Sequence, residues 1–355
     1  MKILIRGANW IGDAVMTIPA MRELRRLFPE AEITLYTRAW AEGIFRDADF
    51  VDRIVEINQN DSRFRNVAAE AKRLRSEKYD LAVLFPNSFE SAAVVRFAGI
   101  PKRFGYSRDG RGILLSDPIK PPKWQDERHQ VYYYLNIVSE IERRLFGTSS
   151  FEENKPISEL QVSEKRREDS RALLEDAGCD MNKPIIAFGT GSTNSVAKRW
   201  GEEKFAELGS RFQSEVGANL VLLGSPDEAD VSGRVSSLSD AEFIDLTGKT
   251  DLSAATAILS EVDLFVSNDM GLAHIAAAVG TKTLVIFGPT KDVTTRPFGP
   301  NAEIIRHDVE CSPCMLRECP IDHRCMTRVS VDDVFKRAKG LINVNSQRRK
   351  DAREI

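Results

Sequence analysis

Short, continuously apolar runs alternate with segments of helical period along both halves of the chain. In the first half "KILIR", "EITLYT", "RIVEI" and "LAVLF" read as buried strands bounded by turn residues. A helix is predicted over 14–28, where Ile18, Met21, Leu24 and Phe28 fall on one stripe. From Gly147 to Val162 the chain turns polar and aperiodic, which suits an interdomain connection. Beyond it the pattern predicts a charged helix over about 163–177 and a second strand series, "PIIAFG", "NLVLLG", "EFIDLT", "LFVSN" and "TLVIFG". Ser330, three residues before Asp333, marks the start of a last helix. Apolar strands separated by helices imply parallel sheets covered on both faces. The expected fold class is therefore α/β, with two Rossmann-like doubly wound domains at 1–160 and 161–345 and a polar tail at 346–355 that frays. Two such domains in tandem are expected to face a central cleft, because open α/β sheets bind ligands at the carboxyl ends of their strands.

Length agrees with that division, since 355 residues exceed what one hydrophobic core usually serves. Apolar residues make up 42% and charged residues 29%, an ordinary globular balance. The formal charge of −3 gives no basic face for nucleic acid, so no nucleic-acid partner is expected. Met1 and Lys2 lead straight into a strand, and the apolar runs are too short to span a bilayer, which points to a cytoplasmic protein. Cys179 stands apart, whereas Cys311, Cys314, Cys319 and Cys325 crowd into "CSPCMLRECPIDHRC". Their irregular spacing and the two prolines among them favour a structural loop over a zinc or iron–sulfur site, and no metal is assigned.

The opening "ILIRGANWIGDAVMTIPA" reads as strand, glycine turn and helix. It lacks the glycine pattern of a dinucleotide loop and ends "GANWIG" with Asp13, not with the lysine of a nucleoside-triphosphate loop. Asp13 has two readings: an acid complementing the positive end of a helix dipole, or a general base aimed from a strand's carboxyl end. The residues alone do not separate them.

In the second half, "DLFVSNDMGLAHIAAAVGTKTLVIFGPT" places a strand end, Asp269 at an N-cap and a small-residue helix in succession. The backbone amides of Met270, Gly271 and Leu272 then point at an anion, and His274, one turn in, leans toward the same opening. The bland alternative is a capped helix with a packed histidine. Ser192 and Thr193 in "GTGSTNSVAKRW" supply hydroxyl donors for phosphate, with Lys198 and Arg199 adding charge; otherwise this is a solvated loop. Asp227 or Glu228 in "LLGSPDEAD" suits ribose hydroxyls, or simply balances a helix dipole. In the first half Asn9, Trp10, Asn87, Ser88, Lys102, Arg103, Arg108 and Arg111 gather in loops that could hold an acceptor's phosphates, or lie solvated.

"GANWIGDAVMT", "LFPNSFESA", "FAGIPKRFGY", "AKRW", "SNDMGLAHIAAAVG" and "FGPT" occur in an order and spacing that resemble the ADP-heptose:lipopolysaccharide heptosyltransferases, the inverting glycosyltransferases of family nine. The resemblance runs over nearly the whole chain, and its middle motif is closer to the branch that adds the second heptose. It implies a GT-B architecture, with an acceptor-binding first domain and a second domain that binds ADP-heptose. It implies no cofactor, a lipid A-Kdo-heptose acceptor, and peripheral contact with the cytoplasmic face of the inner membrane. By the same resemblance Asp13 is the base, Lys198 meets the donor phosphates, and Asp269 and His274 belong to the shared "ND-x-G-L-x-H" element. Met270 stands where such proteins commonly carry Ser or Thr, which removes a hydroxyl from the pyrophosphate site. The same fold also suits a transferase with another acceptor or nucleotide sugar, a sugar-nucleotide epimerase, or a non-catalytic binder.

Overall fold

A computed structural model describes residues 1–57, 63–149, 155–193 and 195–343; the expected fraying tail lies outside the described residues. The chain divides into two compact units, Met1–Ser158 and Glu159–Ile355.

Among the described residues each unit holds one six-stranded parallel sheet. In the first unit these are β1 (Lys2–Arg6), β2 (Glu32–Thr37), β3 (Arg53–Glu56), β4 (Leu81–Leu84), β5 (Lys102–Tyr106) and β6 (Asp117–Ile119), in the order β3-β2-β1-β4-β5-β6. In the second they are β7 (Ile185–Gly189), β8 (Asn219–Leu222), β9 (Phe243–Asp245), β10 (Leu264–Asn268), β11 (Lys282–Phe287) and β12 (Ala302–Arg306), in the order β12-β11-β10-β7-β8-β9. Numbered within its own unit, each sheet runs third, second, first, fourth, fifth, sixth, the doubly wound order of a Rossmann fold. The central strands are mostly apolar because helices cover both faces. Leu4, for example, lies in register with Thr34 and Ala82 and is fully buried.

On one face of the first sheet Leu4, Leu74, Leu84, Val95 and Ile100 pack together. Phe188, Trp200, Phe205, Phe212 and Phe335 fill the second unit's core, with ring centroids 4.9 to 6.3 Å apart. The last helix, Val331–Asn343, starts where the sequence predicts. Ser330 Oγ accepts from the Asp333 amide at 3.1 Å and donates to its carboxylate at 2.6 Å.

Three departures from the sequence reading matter for the site. The helix expected over 14–28 is two helices, Ile11–Met16 and Ile18–Leu27, because Pro19 cannot donate the bond that would carry one helix through Thr17. β5, β6 and β12 were not anticipated, being polar or short. A helix at Gln130–Phe146, also unanticipated, packs on the first unit's opening helices and on β5.

Candidate active site

The doubly wound order makes chain connections leave in opposite directions beside β1 and β4, and again beside β7 and β10. Loops from the carboxyl ends of those strand pairs carry the candidate residues of each unit. Asp13 and the residues after Leu84 follow the first pair; Thr190 to Lys198 and Asp269 to His274 follow the second.

In the first unit a pocket of about 300 Å³ is bordered by Asn9, Trp10, Asp13, Asn87, Ser88 and Arg108. The fold therefore brings six of the sequence candidates together. Asp13 occupies the third position of the short helix Ile11–Met16, so it does stand in a first turn, yet its side chain also reaches the pocket. Its Oδ1 accepts a hydrogen bond of 3.2 Å from the Tyr134 hydroxyl. Tyr134 is held edge-on against Phe85, centroids 5.5 Å apart, and against Tyr133. Burial first, then the Asp13 charge and hydrogen bond, push the Tyr134 hydroxyl well above its usual pKa, so it stays a donor. Arg6 braces the turn by donating to Asn9 Oδ1 at 2.7 Å; burial lowers its guanidinium to about 10, which leaves it charged at neutral pH. Asn87 donates to the Tyr133 hydroxyl at 3.0 Å, and Arg108 to Gln125 Oε1 at 3.1 Å. Trp10 is 60% exposed at the pocket's edge.

Three candidates are placed elsewhere. Arg111 is fully buried, and its guanidinium donates to the carbonyls of Tyr106 at 2.7 Å and Ser88 at 3.3 Å, to Ser91 Oγ at 3.2 Å, and to the Pro86 carbonyl. It holds the 86–88 loop from within and presents no charge to a ligand. Lys102 and Arg103 begin β5, at the end of the strand opposite the pocket, and Arg103 is occupied with the carbonyls of Ile100, Pro101 and Leu114. Ser88 borders the pocket while capping the helix Phe89–Phe97 through the Ser91 amide. Tyr133, Tyr134, Gln125 and Gln130 also line this pocket and were missed; the run of tyrosines at the start of an amphipathic helix was the available signal.

In the second unit Asn268 joins the two loops. Its side chain accepts from the Trp200 amide at 3.0 Å and donates to the Thr190 carbonyl at 2.7 Å. Asp269 is not the N-cap expected from sequence. The helix runs Gly271–Ala278 with Met270 at the cap and no side-chain capping bond, because the Asp269 carboxylate is used elsewhere. Its Oδ2 lies 2.8 Å from Lys198 Nζ and accepts from Thr290 Oγ1 at 2.7 Å. Lys198 is thus fixed beside the helix start, where the Gly271 and Leu272 amides have no partner within the helix by position. Met270 instead lies over Gly189, where any Cβ would fall 2.4 Å from its sulfur. His274 is buried one turn in.

Glu228 is 3% exposed. Its Oε2 closes a capping box with the Ser225 amide and hydroxyl at 2.8 and 3.0 Å, while its Oε1 is buried with no hydrogen-bond partner among the described residues. That oxygen sits over Gly191, where a Cβ would approach to 2.2 Å, so only glycine fits. Asp227 and Thr193 are exposed and Ser192 is buried. The cysteine-rich segment braces the lysine loop: the Arg317 carbonyl accepts from the Ala197 amide at 3.0 Å, and His323 Nε2 lies 2.6 Å from the Ala197 carbonyl. Its cysteines are free, and among the described residues no group of His, Cys, Asp or Glu could hold a metal ion.

One doubly wound unit thus offers a carboxylate at a polar pocket, and the other a lysine, helix amides and a buried acceptor oxygen. The family model of glycosyltransferase family 9 (heptosyltransferase) matches residues 67–324, and the chain belongs to that family. It is 27% identical to lipooligosaccharide heptosyltransferase 2 of Campylobacter jejuni over 96% of this chain and 98% of that one. To the protein of the same name in Haemophilus ducreyi it is 30% identical, over 86% and 88%. The solved E. coli ADP-heptose LPS heptosyltransferase II matches with a TM-score of 0.84 at 25% identity, over 97% of this chain and 99% of that one, in agreement with the expected fold class. Among the described residues no helix is long and apolar enough to cross a membrane.

Proposed function

We propose that this chain transfers heptose from ADP-heptose to the inner core of lipopolysaccharide, with inversion at the anomeric carbon. Likeness to the E. coli ADP-heptose enzyme supports the donor, and the names of the curated relatives support the lipopolysaccharide acceptor. The acceptor hydroxyl gives its proton to Asp13 as its oxygen attacks the anomeric carbon. The bond from that carbon to the phosphate oxygen breaks, and its electron pair leaves with ADP. A positioned base contributes roughly 10²–10⁴-fold. Lys198 and the Gly271 and Leu272 amides meet the charge on the leaving diphosphate, a preorganised electrostatic contribution. Ser192, Thr193 and His274 border the same grip, and Glu228 Oε1 accepts from a ribose hydroxyl. In the first unit Asn9, Trp10, Asn87 and Arg108 orient the acceptor, a heptose-bearing Kdo-lipid A whose lipid keeps the protein in peripheral contact with the inner membrane.

The observation that carries this reading is the Asp13–Tyr134 pair, a carboxylate held by a buried donor at the edge of a polar pocket. The test measures ADP release from ADP-heptose with a mono-heptosylated Kdo-lipid A acceptor, for the wild type and Asp13→Asn. Turnover should fall by about 10²-fold or more with ADP affinity unchanged. Near-normal turnover in the variant would overturn the base assignment. Equal release from ADP-glucose or UDP-sugars would overturn the donor, and release without acceptor would overturn transfer.

A further inference from the structure

The first unit carries another concavity, which meets the Asp13 pocket only at Ser88. It is a groove of about 950 Å³ between the helices Arg63–Glu77 and Phe89–Phe97. Ala71 and Ala93 lie along it, and Phe89 and Phe97 stand 51% and 54% exposed at its sides. Lys72 and Arg75 edge it, and Arg75 donates to the Phe97 carbonyl at 2.6 Å, which ties the rim to the aromatic wall. Nearby, on the turn Arg111–Leu114 that packs against the second helix, Ile113 is 84% exposed. Large apolar side chains left together in water mark an interaction surface.

Charge selects the occupant. Residues 63–114 contain eleven Lys and Arg against five Asp and Glu, in a chain whose net charge is −3. Of these cations Arg111 is buried, Arg103 is held by carbonyls and Arg108 borders the Asp13 pocket, while Lys72 and Arg75 stand at the groove itself. Three of those five acids are engaged elsewhere: Glu70 with the Tyr36 hydroxyl, Glu77 with Arg53, and Asp80 with the Lys2 amide. Glu90 faces the groove. A second copy docked through this face would set like charges against each other, since a two-fold contact pairs a patch with itself. An anionic bilayer surface satisfies both features, because hydrocarbon covers the phenylalanines and lipid phosphates meet the basic rim.

We propose that this groove is the membrane-docking surface, taking acyl chains of anionic phospholipid between Phe89 and Phe97 with their phosphates at Lys72 and Arg75. It rests on the reading that the acceptor is lipid-anchored, and it names the surface that meets that lipid. Docking is testable without donor or acceptor, so its failure is distinguishable from failure of the catalytic assignment. Vesicles of phosphatidylcholine, or of equal parts phosphatidylcholine and phosphatidylglycerol, are mixed with the full chain and sedimented. The wild type should bind the anionic vesicles and not the neutral ones, with binding weakened by salt. Phe89→Ser with Phe97→Ser, and separately Lys72→Glu with Arg75→Glu, should each lower partitioning about tenfold or more. Thermal unfolding and ADP binding should stay as in the wild type. Transfer to a delipidated core oligosaccharide should also persist in both variants, while transfer to vesicle-embedded acceptor slows. Wild-type indifference to phosphatidylglycerol, or unchanged binding by both variants, would overturn the proposal. So would a wild-type dimer in sedimentation velocity that Phe97→Ser dissociates.

Discussion

The Tyr134 hydroxyl donates to Asp13 Oδ1 across 3.2 Å, linking the helix Gln130–Phe146 to the first turn of the chain. A donor of this kind holds the carboxylate at the pocket's edge in place. Tyr134→Phe leaves the ring packing in place and removes that single bond, so kcat should fall about tenfold while ADP affinity stays unchanged. Single-turnover transfer and calorimetric ADP titration measure the two separately. Wild-type kcat in the variant would separate Tyr134 from the base.

The Lys198–Asp269 pair gives a different signature. Asp269 is buried beside a lysine at 2.8 Å, so Lys198→Ala strands its charge and should destabilise the fold by about 3 kcal/mol, besides weakening ADP binding. In the double variant Lys198→Ala with Asp269→Asn the stability should largely return while ADP affinity stays low. Thermal unfolding and calorimetric ADP titration measure the two separately. If affinity returned with stability, Lys198 would be acting only on the fold.

Much of the fold was legible in the chain because central parallel strands are apolar on both faces, and β1, β4, β7, β10 and β11 show as unbroken runs. β5, with "KRFGY", and the edge strands β6 and β12 escaped because polar or half-buried residues dilute the signal. The sites were legible as loops following strands. Which side chain in a loop turns inward was not legible. Arg108 and Arg111 are three residues apart in one basic stretch, yet one borders the pocket and the other is sealed among carbonyls. Asp269 looked like a cap because Asp often is one; its partners, Lys198 and Thr290, come from distant segments that no local pattern connects to it.

Glu228 offers a test of nucleoside recognition. Its Oε1 is buried over Gly191 without a partner among the described residues, while Oε2 is held by Ser225. Glu228→Gln keeps the shape and exchanges a charged acceptor for an amide, so ADP affinity should fall about tenfold. Affinity for 2′,3′-dideoxy-ADP should be weak in the wild type and scarcely change in the variant. An equal loss for both nucleotides would place the effect in the capping box and leave the ribose unassigned.

Arg111 gives the clearest separation of scaffold from ligand. Its guanidinium is fully buried and donates to the Tyr106, Ser88 and Pro86 carbonyls and to Ser91 Oγ. Burial lowers its pKa to about 10, so it is charged at neutral pH and its cost is offset by those bonds. Arg111→Met fills similar volume but leaves the acceptors unsatisfied at roughly 1–3 kcal/mol for each oxygen cut off from water. Unfolding in urea should therefore shift by about 3 kcal/mol or more. Because the same bonds hold the 86–88 loop, the acceptor KM should rise in the variant while the donor KM stays unchanged. Arg111→Lys, with one donor group in place of a planar fork, should recover only part of the stability. If Arg111→Met kept wild-type stability and lost acceptor binding alone, the guanidinium would belong to the ligand site after all.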